Sequence, residues 1–308
     1  MKSHLKNQFT VEEEEIDRLD KLLTKRFSSY SRTYFQYLID SESVLLNGKV
    51  IKKRARPSPG DHIEVTFLPT EEIDLSPEPI PLDVLFEDEH LICINKPAGM
   101  VVHPAPGHPK GTFVHALLHH CQGTALPGKE YRPGIVHRLD KETSGILIAA
   151  KSVESHQKLI NQFKGREVEK EYLAITIGHP EASKIHVPIG RHPIRRKEMT
   201  VLETGGKEAT TIITPIERGK YFSLVSARLI TGRTHQIRVH LKHNQTPILG
   251  DSVYGSPKIN EKYQVKRQLL HARRIQLSHP IKDQILNLSA PLPDDMKNLS
   301  EDFFLQSV

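Results

Sequence analysis

The stretch Gly134-Ile-Val-His-Arg-Leu-Asp-Lys-Glu-Thr-Ser-Gly-Ile-Leu-Ile-Ala-Ala-Lys151 decides how the chain around it folds. It begins as a strand-like apolar run, breaks at His137–Asp140 and resumes over Gly145–Ala150, which predicts two buried strands joined by a loop. A base and an acid, Arg138 and Asp140, stand at the mouth of this loop. Loops held by a rigid sheet often present reactive groups. A structural Arg138–Asp140 pair on a turn fits the same pattern, and the loop alone does not exclude it.

Length and composition limit the number of domains and the class of protein that the sequence can encode. The chain has 308 residues, enough for two domains, and its 37% hydrophobic and 26% charged residues are typical of a soluble protein with a modest core. No apolar run in the sequence reaches membrane-spanning length, and the first residues lack the apolar core of a signal peptide. We therefore expect a cytoplasmic protein.

Cysteine usage and charge narrow the possible sites and partners. Cys93 and Cys121 have no paired spacing, so they predict neither a disulfide framework nor a cysteine metal site. The net charge of +6 and the pI near 9.1 permit binding to nucleic acid or to an anionic membrane but select neither.

The N-terminal part predicts a small compact unit. Residues 1–15 are expected to be a mobile lead ending in an acidic run, and residues 16–68 the folded unit. Apolar residues at helical spacing predict a first helix over Ile16–Phe27, and Ser31 is a predicted N-cap of a second helix. The Asn47-Gly48 turn predicts a hairpin, after which a further strand follows.

The same unit is strongly basic. Ile16–Thr66 holds ten lysines and arginines against six acids. This balance fits either a solvated face or a surface that grips RNA phosphates without reading bases. The bases assigned to such a surface are Arg18, Lys21, Arg32, Lys49, Lys52, Lys53 and Arg54.

Four segments of this unit resemble the S4-like, or α-L, RNA-binding module. In chain order they are Arg18-Leu-Asp-Lys-Leu-Leu, Ser31-Arg32, Val44-Leu-Leu-Asn-Gly-Lys-Val and Pro59-Gly-Asp-His-Ile. The resemblance implies an RNA partner and no particular chemistry.

A proline-rich linker over residues 69–83 predicts a semi-rigid spacer, with a domain boundary near residue 75. The second domain is assigned residues 84–300 and a tail residues 301–308. The sequence predicts many strands and few helices, and the segment leading to Lys197 is predicted to be irregular. Without a steady strand–helix alternation, the pattern argues for an α+β fold with a mixed, largely antiparallel sheet and flanking helices.

A second group of polar residues lies in Gly232-Arg-Thr-His-Gln-Ile-Arg-Val-His-Leu241, where a strand turns into a helix. Arg233 and Arg238 are either surface charges, or one of them faces Asp140 and holds it ionised. Spacing alone does not decide between these possibilities.

Six ordered segments of the second domain resemble the RluA-type pseudouridine synthases. They are Lys96-Pro-Ala-Gly-Met-Val-Val-His-Pro104, His137-Arg-Leu-Asp-Lys-Glu-Thr-Ser-Gly-Ile-Leu147, Glu171-Tyr-Leu-Ala174, Gly232–Leu241, Pro247-Ile-Leu-Gly-Asp-Ser-Val-Tyr-Gly255 and Leu270-His-Ala272. The family isomerises uridines in RNA, breaking the bond from ribose to base nitrogen and re-forming it to carbon 5. The resemblance implies a base flipped out of its stack, a structured RNA substrate (large-subunit rRNA, with tRNA as the alternative) and neither a metal nor an organic cofactor. We expect a monomer.

The resemblance also implies roles for individual residues. Asp140 matches the essential aspartate, Arg233 the arginine that pairs with it, and Tyr172 the tyrosine that packs against uracil and is a candidate acceptor of the carbon-5 proton. The substrate-binding matches are Arg138, with His137 beside it, for base flipping, and Leu270 as an apolar wall.

Other interpretations have weaker support. A non-catalytic RNA-binding or ribosome-associated factor would use the same basic surface, but it would not need Asp140, Tyr172 and Arg233 together. His115 and His119 have the spacing of a helical zinc pair, yet the glutamate of that motif is missing.

Overall fold

The computed structural model describes residues 5–15, 17–52, 54–68, 74–105, 107–129 and 132–304. The chain divides into two compact units, residues 1–73 and 74–308. In the described part, no helix is both long and apolar enough to cross a membrane.

The first unit packs two helices against a four-stranded antiparallel sheet. Its elements are β1 (Lys6–Thr10), a 3-10 turn (Glu13–Glu15), α1 (Leu19–Arg26), α2 (Arg32–Asp40), β2 (Val44–Leu46), β3 (Lys49–Val50) and β4 (His62–Thr66). The strand order is β1-β4-β2-β3. Its core joins the inner faces of α1 and α2 to alternate residues of β4, Ile63 and Val65.

Local interactions explain where α2 begins and where the hairpin of β2 and β3 turns. The Ser31 side chain accepts a 3.2 Å hydrogen bond from the Tyr34 amide, so the predicted cap of α2 is confirmed. Asn47 and Gly48 both have left-handed backbone angles, φ 51° and 72°, as a tight two-residue hairpin requires.

The prediction that residues 1–15 form a mobile lead is wrong for Lys6–Thr10. Lys6–Thr10 forms β1, which pairs in register with β4 from Lys6↔Thr66 to Thr10↔His62. Phe9 is the buried residue of this strand, whereas its other side chains face water. A polar edge strand of this kind gives no alternating pattern to detect. The first helix begins at Leu19, and Ile16, where it was predicted to begin, lies outside the described residues.

The second unit is the α+β domain. Its strands are β5 (Val84–Glu87), β6 (Leu91–Lys96), β7 (Gly128–Lys129), β8 (Arg132–Pro133), β9 (Ser144–Ala150), β10 (Glu169–Ile177), β11 (Ser183–His186), β12 (Ile189–Arg191), β13 (Met199–Val201), β14 (Thr210–Arg218), β15 (Phe222–Leu229), β16 (Leu270–Ser278) and β17 (Ile285–Ser289). Its helices are α3 (Phe113–His120), α4 (Val153–Gly165), α5 (Gln236–His243), α6 (Pro257–Lys262) and α7 (Asp294–Phe304).

Nine of the described strands form one mixed sheet. The order is β11-β14-β15-β10-β16-β9-β6-β5, and β17 pairs with the far end of β16. The pairing is antiparallel except between β16 and β9, which run parallel through His271↔Ser144 and Ala272↔Gly145. The predicted mixed, largely antiparallel sheet is therefore confirmed.

The parallel pairing depends on Gly145. Its φ of 107° lies in the region that favours glycine, and a Cβ there would lie 2.3 Å from the Ala272 carbonyl oxygen. Glycine thus lets β16 approach β9 immediately after the loop that holds Asp140.

Apolar side chains fill both faces of this sheet, which explains the continuous apolar run of β9. Leu147 and Ala149 pack on one face, with α3 and α5. Ile146 and Ile148 pack on the other face, with Leu159 of α4. Every residue of β9 is buried, as expected for a strand covered on both sides.

Three predictions about this domain need correction. The apolar run Gly134–Val136 forms no full strand and makes a single bridge from Ile135 to Ala149. The segment predicted to be irregular contains β11 and β12, and β12 pairs with β13. The tail predicted from residue 301 continues α7 to Phe304, and Phe303 stacks on Phe222 with ring centroids 4.4 Å apart.

Candidate active site

A cleft of about 550 Å³ opens beside the sheet of the second unit. The loop before β9, the start of β10 and the turn into α5 line it together. Its lining side chains include all six residues assigned above to catalysis or substrate binding: His137, Arg138, Asp140, Tyr172, Arg233 and Leu270.

The Asp140 loop is anchored through its backbone by a buried lysine. Lys96, fully buried at the end of β6, donates its Nζ protons to the carbonyls of Pro97 (2.8 Å), Met100 (3.0 Å) and Lys141 (3.1 Å). Burial lowers the pKa of Lys96 to about 7, while the nearby charges of Glu142 and Asp140 act to raise it. Three carbonyl acceptors match the three protons of an ammonium group. Lys96 thus fixes the peptide that follows Asp140.

The carboxylate of Asp140 is held by Arg238. Arg238 Nη1 lies 3.0 Å from Asp140 Oδ2, and Arg238 itself is 5% exposed. On its other edge Arg238 forms a bidentate pair with fully buried Asp251, Nε–Oδ2 2.7 Å and Nη2–Oδ1 2.9 Å. Burial acts to raise the pKa of Asp251, but the hydrogen bonds and charge of Arg238 outweigh it and leave that pKa lowered.

The expected pairing of Arg233 with Asp140 is wrong. Arg233 lies three residues before α5, and its Nε donates to the Glu208 carbonyl at 2.9 Å. Arg238 is the third residue of α5, inside a run of buried residues from Gln236 to Leu241, and this position directs its guanidinium between two carboxylates. Among the described residues, the arginine that forms an ion pair with Asp140 is Arg238.

Tyr172 and Leu270 supply the apolar side of the cleft. Both are buried, at 8% and 4% exposure. The register between β10 and β16 shifts at Glu171/Tyr172, where Arg273 is an extra residue of β16. Burial, together with the charge of Asp140, raises the pKa of Tyr172 above its ordinary value, and the phenol is therefore protonated at neutral pH.

His137 and Arg138 occupy different environments although they are adjacent. The His137 ring stacks on Phe163 at 4.6 Å, and its Nε2 accepts the Ile148 amide proton at 2.9 Å. Burial lowers the pKa of His137 to about 3, so His137 is a neutral structural support of the cleft wall. The Arg138 side chain is exposed at the mouth of the cleft.

His235 was not predicted as a site residue, but it faces Asp140. Its Nε2 lies 3.9 Å from Asp140 Oδ2, and its Nδ1 lies 2.8 Å from the Tyr254 hydroxyl. The sequence signal for His235 is its place within Gly232–Leu241, between Arg233 and Arg238. Lys96 and Asp251 were also missed as anchors, although both lie in segments that carried the family resemblance.

The bases predicted for RNA binding in the first unit divide into two groups. Arg18 and Arg32 are tied to the buried Asp20 carboxylate, with Nε distances of 3.1 Å to Oδ1 and 2.9 Å to Oδ2, and Lys21 pairs with Asp17 at 3.4 Å. Lys49, Lys52 and Arg54 are exposed. Lys53 lies outside the described residues.

His115 has a structural role instead of a zinc role. Its Nδ1 lies 2.7 Å from the Thr112 hydroxyl in the cap of α3, and its Nε2 lies 2.8 Å from the Asp74 carbonyl. Within the described residues, no group of three or more His, Cys, Asp or Glu residues could hold a metal ion. Cys93 and Cys121 are free and buried.

Comparison with known proteins identifies the class. Residues 90–243, which contain β6, the Asp140 loop, Tyr172 and α5, match the family model described as RNA pseudouridylate synthase. The chain belongs to this family and is an RNA pseudouridine synthase, as the resemblance of its six segments implied.

Individual relatives extend the match over nearly the whole chain. An uncharacterized RNA pseudouridine synthase, YlyB of Bacillus subtilis (strain 168), is 41% identical over 94% of this chain and 95% of its own. The ribosomal large subunit pseudouridine synthase D of Escherichia coli (strain K12) is 40% identical over 95% of this chain and 92% of its own. The solved structure of human RNA pseudouridylate synthase domain containing 4 is 27% identical with a TM-score of 0.54, covering 71% of this chain and 91% of that one.

Proposed function

We propose that this protein converts specific uridines of large-subunit rRNA to pseudouridine, with Asp140 as the essential carboxylate. The observation that supports this most is the state of Asp140. Its Oδ2 is bound by Arg238, whereas Oδ1 takes no hydrogen bond from any described residue. A carboxylate held in place by one oxygen leaves the other available to a reacting nucleoside.

The reaction needs a uridine that has left its base stack. The bond from ribose carbon 1′ to base nitrogen 1 breaks, a bond from carbon 1′ to carbon 5 forms, carbon 5 loses its proton and nitrogen 1 gains one. Neither carbon 1′ nor the base edge can reach a carboxylate inside a stacked helix, so the nucleotide must be flipped out. We assign Arg138, exposed at the mouth of the cleft, to the gap left in the RNA or to its backbone.

The apolar side of the cleft is suited to the flipped base. We assign Tyr172 and Leu270 to packing against uracil, since both are buried side chains that line the cleft with Asp140. The raised pKa of Tyr172 means that its phenol carries a proton in the resting enzyme. A protonated phenol is a poor base, which weakens its assignment as acceptor of the carbon-5 proton and favours the packing role.

The assignment to large-subunit rRNA rests on two supports. Synthases named for the ribosomal large subunit are about 40% identical over more than nine-tenths of this chain. The first unit, which we propose to be an S4-like RNA-binding module, exposes Lys49, Lys52 and Arg54 for phosphate contacts. We further propose that the enzyme acts as a monomer and, because rRNA is the proposed substrate, in the cytoplasm. Light scattering of the purified enzyme tests the monomer.

Tritium release from RNA labelled at carbon 5 of uridine tests the chemistry. The substrate is bulk RNA, containing both rRNA and tRNA, from a strain lacking this gene, and wild type is compared with Asp140→Ala and Asp140→Asn. We expect release with wild type and none with either variant, followed by mapping of the new pseudouridines to large-subunit rRNA. Release by Asp140→Asn at the wild-type rate would overturn the role of the carboxylate. Modification confined to tRNA would overturn the substrate.

A further inference from the structure

A chain of polar groups runs from the backbone of β13 to the catalytic loop. The Met199 amide donates to the Tyr254 hydroxyl at 2.8 Å. The same hydroxyl lies 2.8 Å from His235 Nδ1, and His235 Nε2 faces Asp140 Oδ2 at 3.9 Å. These residues come from four separate segments of the sequence, so their alignment is a property of the folded domain.

The chain of contacts fixes which nitrogen of His235 carries the proton. The Tyr254 oxygen accepts the Met199 N–H, and within the described part of the chain Nδ1 of His235 is the acceptor in reach of its own proton. The hydroxyl therefore donates to Nδ1, and the neutral imidazole holds its proton on Nε2. The carboxylate facing Nε2 favours the same tautomer, since a lone pair there would oppose its negative charge.

The environment of His235 favours the neutral ring. Burial lowers the pKa of His235, and the charges of Arg238 and Arg138 lower it further, against the raising effects of Asp140 and Asp251. The neutral ring directs an N–H at Asp140 without adding a full positive charge beside Arg238.

The backbone of His235 is also unusual. His235 caps α5 with φ 56°, a left-handed conformation that is uncommon outside glycine, and this geometry turns the ring toward the cleft. Its side chain is 20% exposed and lines the cleft with Asp140. At 3.9 Å the Nε2–H is about one ångström beyond hydrogen-bond length, so it is directed at Asp140 without being bonded in the free enzyme.

We propose that His235 is a positioning residue of the isomerisation, whose tautomer is set by Tyr254 and whose Nε2–H closes onto Asp140 Oδ2 when RNA is bound. Arg238 and His235 then hold the same oxygen from two directions, and Oδ1 is presented to the nucleoside. This inference rests on the proposed role of Asp140.

Two substitutions at His235 test whether the N–H donor or the imidazole ring itself is required. His235→Gln retains an N–H near the position of Nε2, whereas the shorter His235→Asn can reach only the position of Nδ1. Both side chains suit the backbone, because Asn47, Gln245 and Gln264 of this protein adopt the same left-handed conformation. His243→Gln, at an exposed residue of α5, controls for the loss of an imidazole.

The test measures the single-turnover rate of tritium release at saturating RNA, the Kd for RNA and the thermal midpoint. We expect His235→Asn to lower the rate by about ten- to a hundredfold, since small misplacements of a reacting group have effects of this size. Its Kd and thermal midpoint should stay near wild type, and His235→Gln should recover most of the lost rate. Tyr254→Phe removes the group that sets the tautomer, and its rate should lie between those of His235→Asn and His235→Gln.

Equal rates for His235→Asn and wild type would overturn the inference. A purely structural role would instead lower the rates and thermal midpoints of His235→Asn and His235→Gln together, without rescue by Gln. Failure of the proposed function itself is distinguishable, because wild type would then release no tritium or Asp140→Ala would still release it.

Discussion

Replacing Arg238 by lysine separates its charge from its geometry. The arginine offers three N–H groups to two carboxylates, two to Asp251 and one to Asp140. A lysine ammonium keeps the positive charge, but it cannot reproduce the planar fork that spans both acids. Arg233→Lys is the matched control, because Arg233 donates to the Glu208 carbonyl and is not the ion-pair partner of Asp140.

The expected loss of stability in Arg238→Lys follows from the burial of Arg238 and Asp251. Asp251 is fully buried and Arg238 is 5% exposed, so a lost contact leaves a polar atom away from water. A hydrogen bond to a charged group contributes about 1.5–3 kcal/mol. If Arg238→Lys loses one or two of these three hydrogen bonds and keeps the rest, the second unit is destabilised by roughly 1.5–6 kcal/mol. For a domain of this size, that loss lowers the thermal midpoint by roughly 3–24 °C.

The expected loss of activity exceeds what the lower stability accounts for. Measured well below the thermal midpoint, the single-turnover rate of tritium release by Arg238→Lys should fall about 10²–10³-fold, the usual cost of removing one preorganised donor at a reacting group. Arg233→Lys should stay within a few-fold of wild type. If Arg233→Lys lost the activity and Arg238→Lys kept it, the assignment of the Asp140 partner would be refuted.

Three further outcomes test other parts of the molecule. The triple variant Lys49→Ala, Lys52→Ala, Arg54→Ala should reduce the slope of log Kd against log salt by roughly two to three, because each of the three lost phosphate contacts removes about 0.7–0.9 of a counterion. An unchanged slope would exclude these bases from the interface. His240 is fully buried and its pKa is lowered to about 4, so the unfolded chain takes up a proton near pH 6.5 and the native state only near pH 4. The free energy of unfolding should therefore fall as the pH is lowered through this window, by up to roughly 3 kcal/mol for this group. Denaturant titrations of His240→Gln should show a shallower dependence of this free energy on pH. Gly145→Ala should lower unfolding free energy by more than about 1 kcal/mol, because the new Cβ meets the Ala272 carbonyl, and an unaltered thermal midpoint would contradict the close approach of β9 and β16.

Most of the fold could be predicted from the sequence because its signals are local. Ser31 at a helix start, the Asn47-Gly48 turn and the apolar run of β9 each act through neighbouring residues, and each is found in the structure. β1 escaped prediction because it is a polar edge strand whose partner, β4, lies more than fifty residues away along the chain. Its stability comes from pairing, which a one-dimensional pattern does not record.

Several members of the site were predictable from the sequence, but the ion pairs between them were not. Asp140, Tyr172 and Leu270 lie together in one cleft, as their separate motifs implied. The choice between Arg233 and Arg238 was not open to sequence reasoning, because the two lie five residues apart and the direction of each side chain depends on α5. The position of Asp251 explains why Arg238, and not Arg233, pairs with Asp140. A buried carboxylate requires a buried cation, and Arg238 is the arginine that α5 carries into the interior.

Two buried basic side chains, Lys96 and Arg238, restrain the loop that holds Asp140. Lys96 holds the backbone through the Lys141 carbonyl, and Arg238 holds the side chain through Oδ2, so the residue is fixed at two independent points. A group held in this way cannot move far to meet its substrate. The uridine must therefore travel to the carboxylate, and the energy for unstacking it must come from RNA contacts made elsewhere on the protein. Weakening those contacts should therefore reduce the population of flipped nucleotide, while the rate of isomerisation from the flipped state stays unchanged.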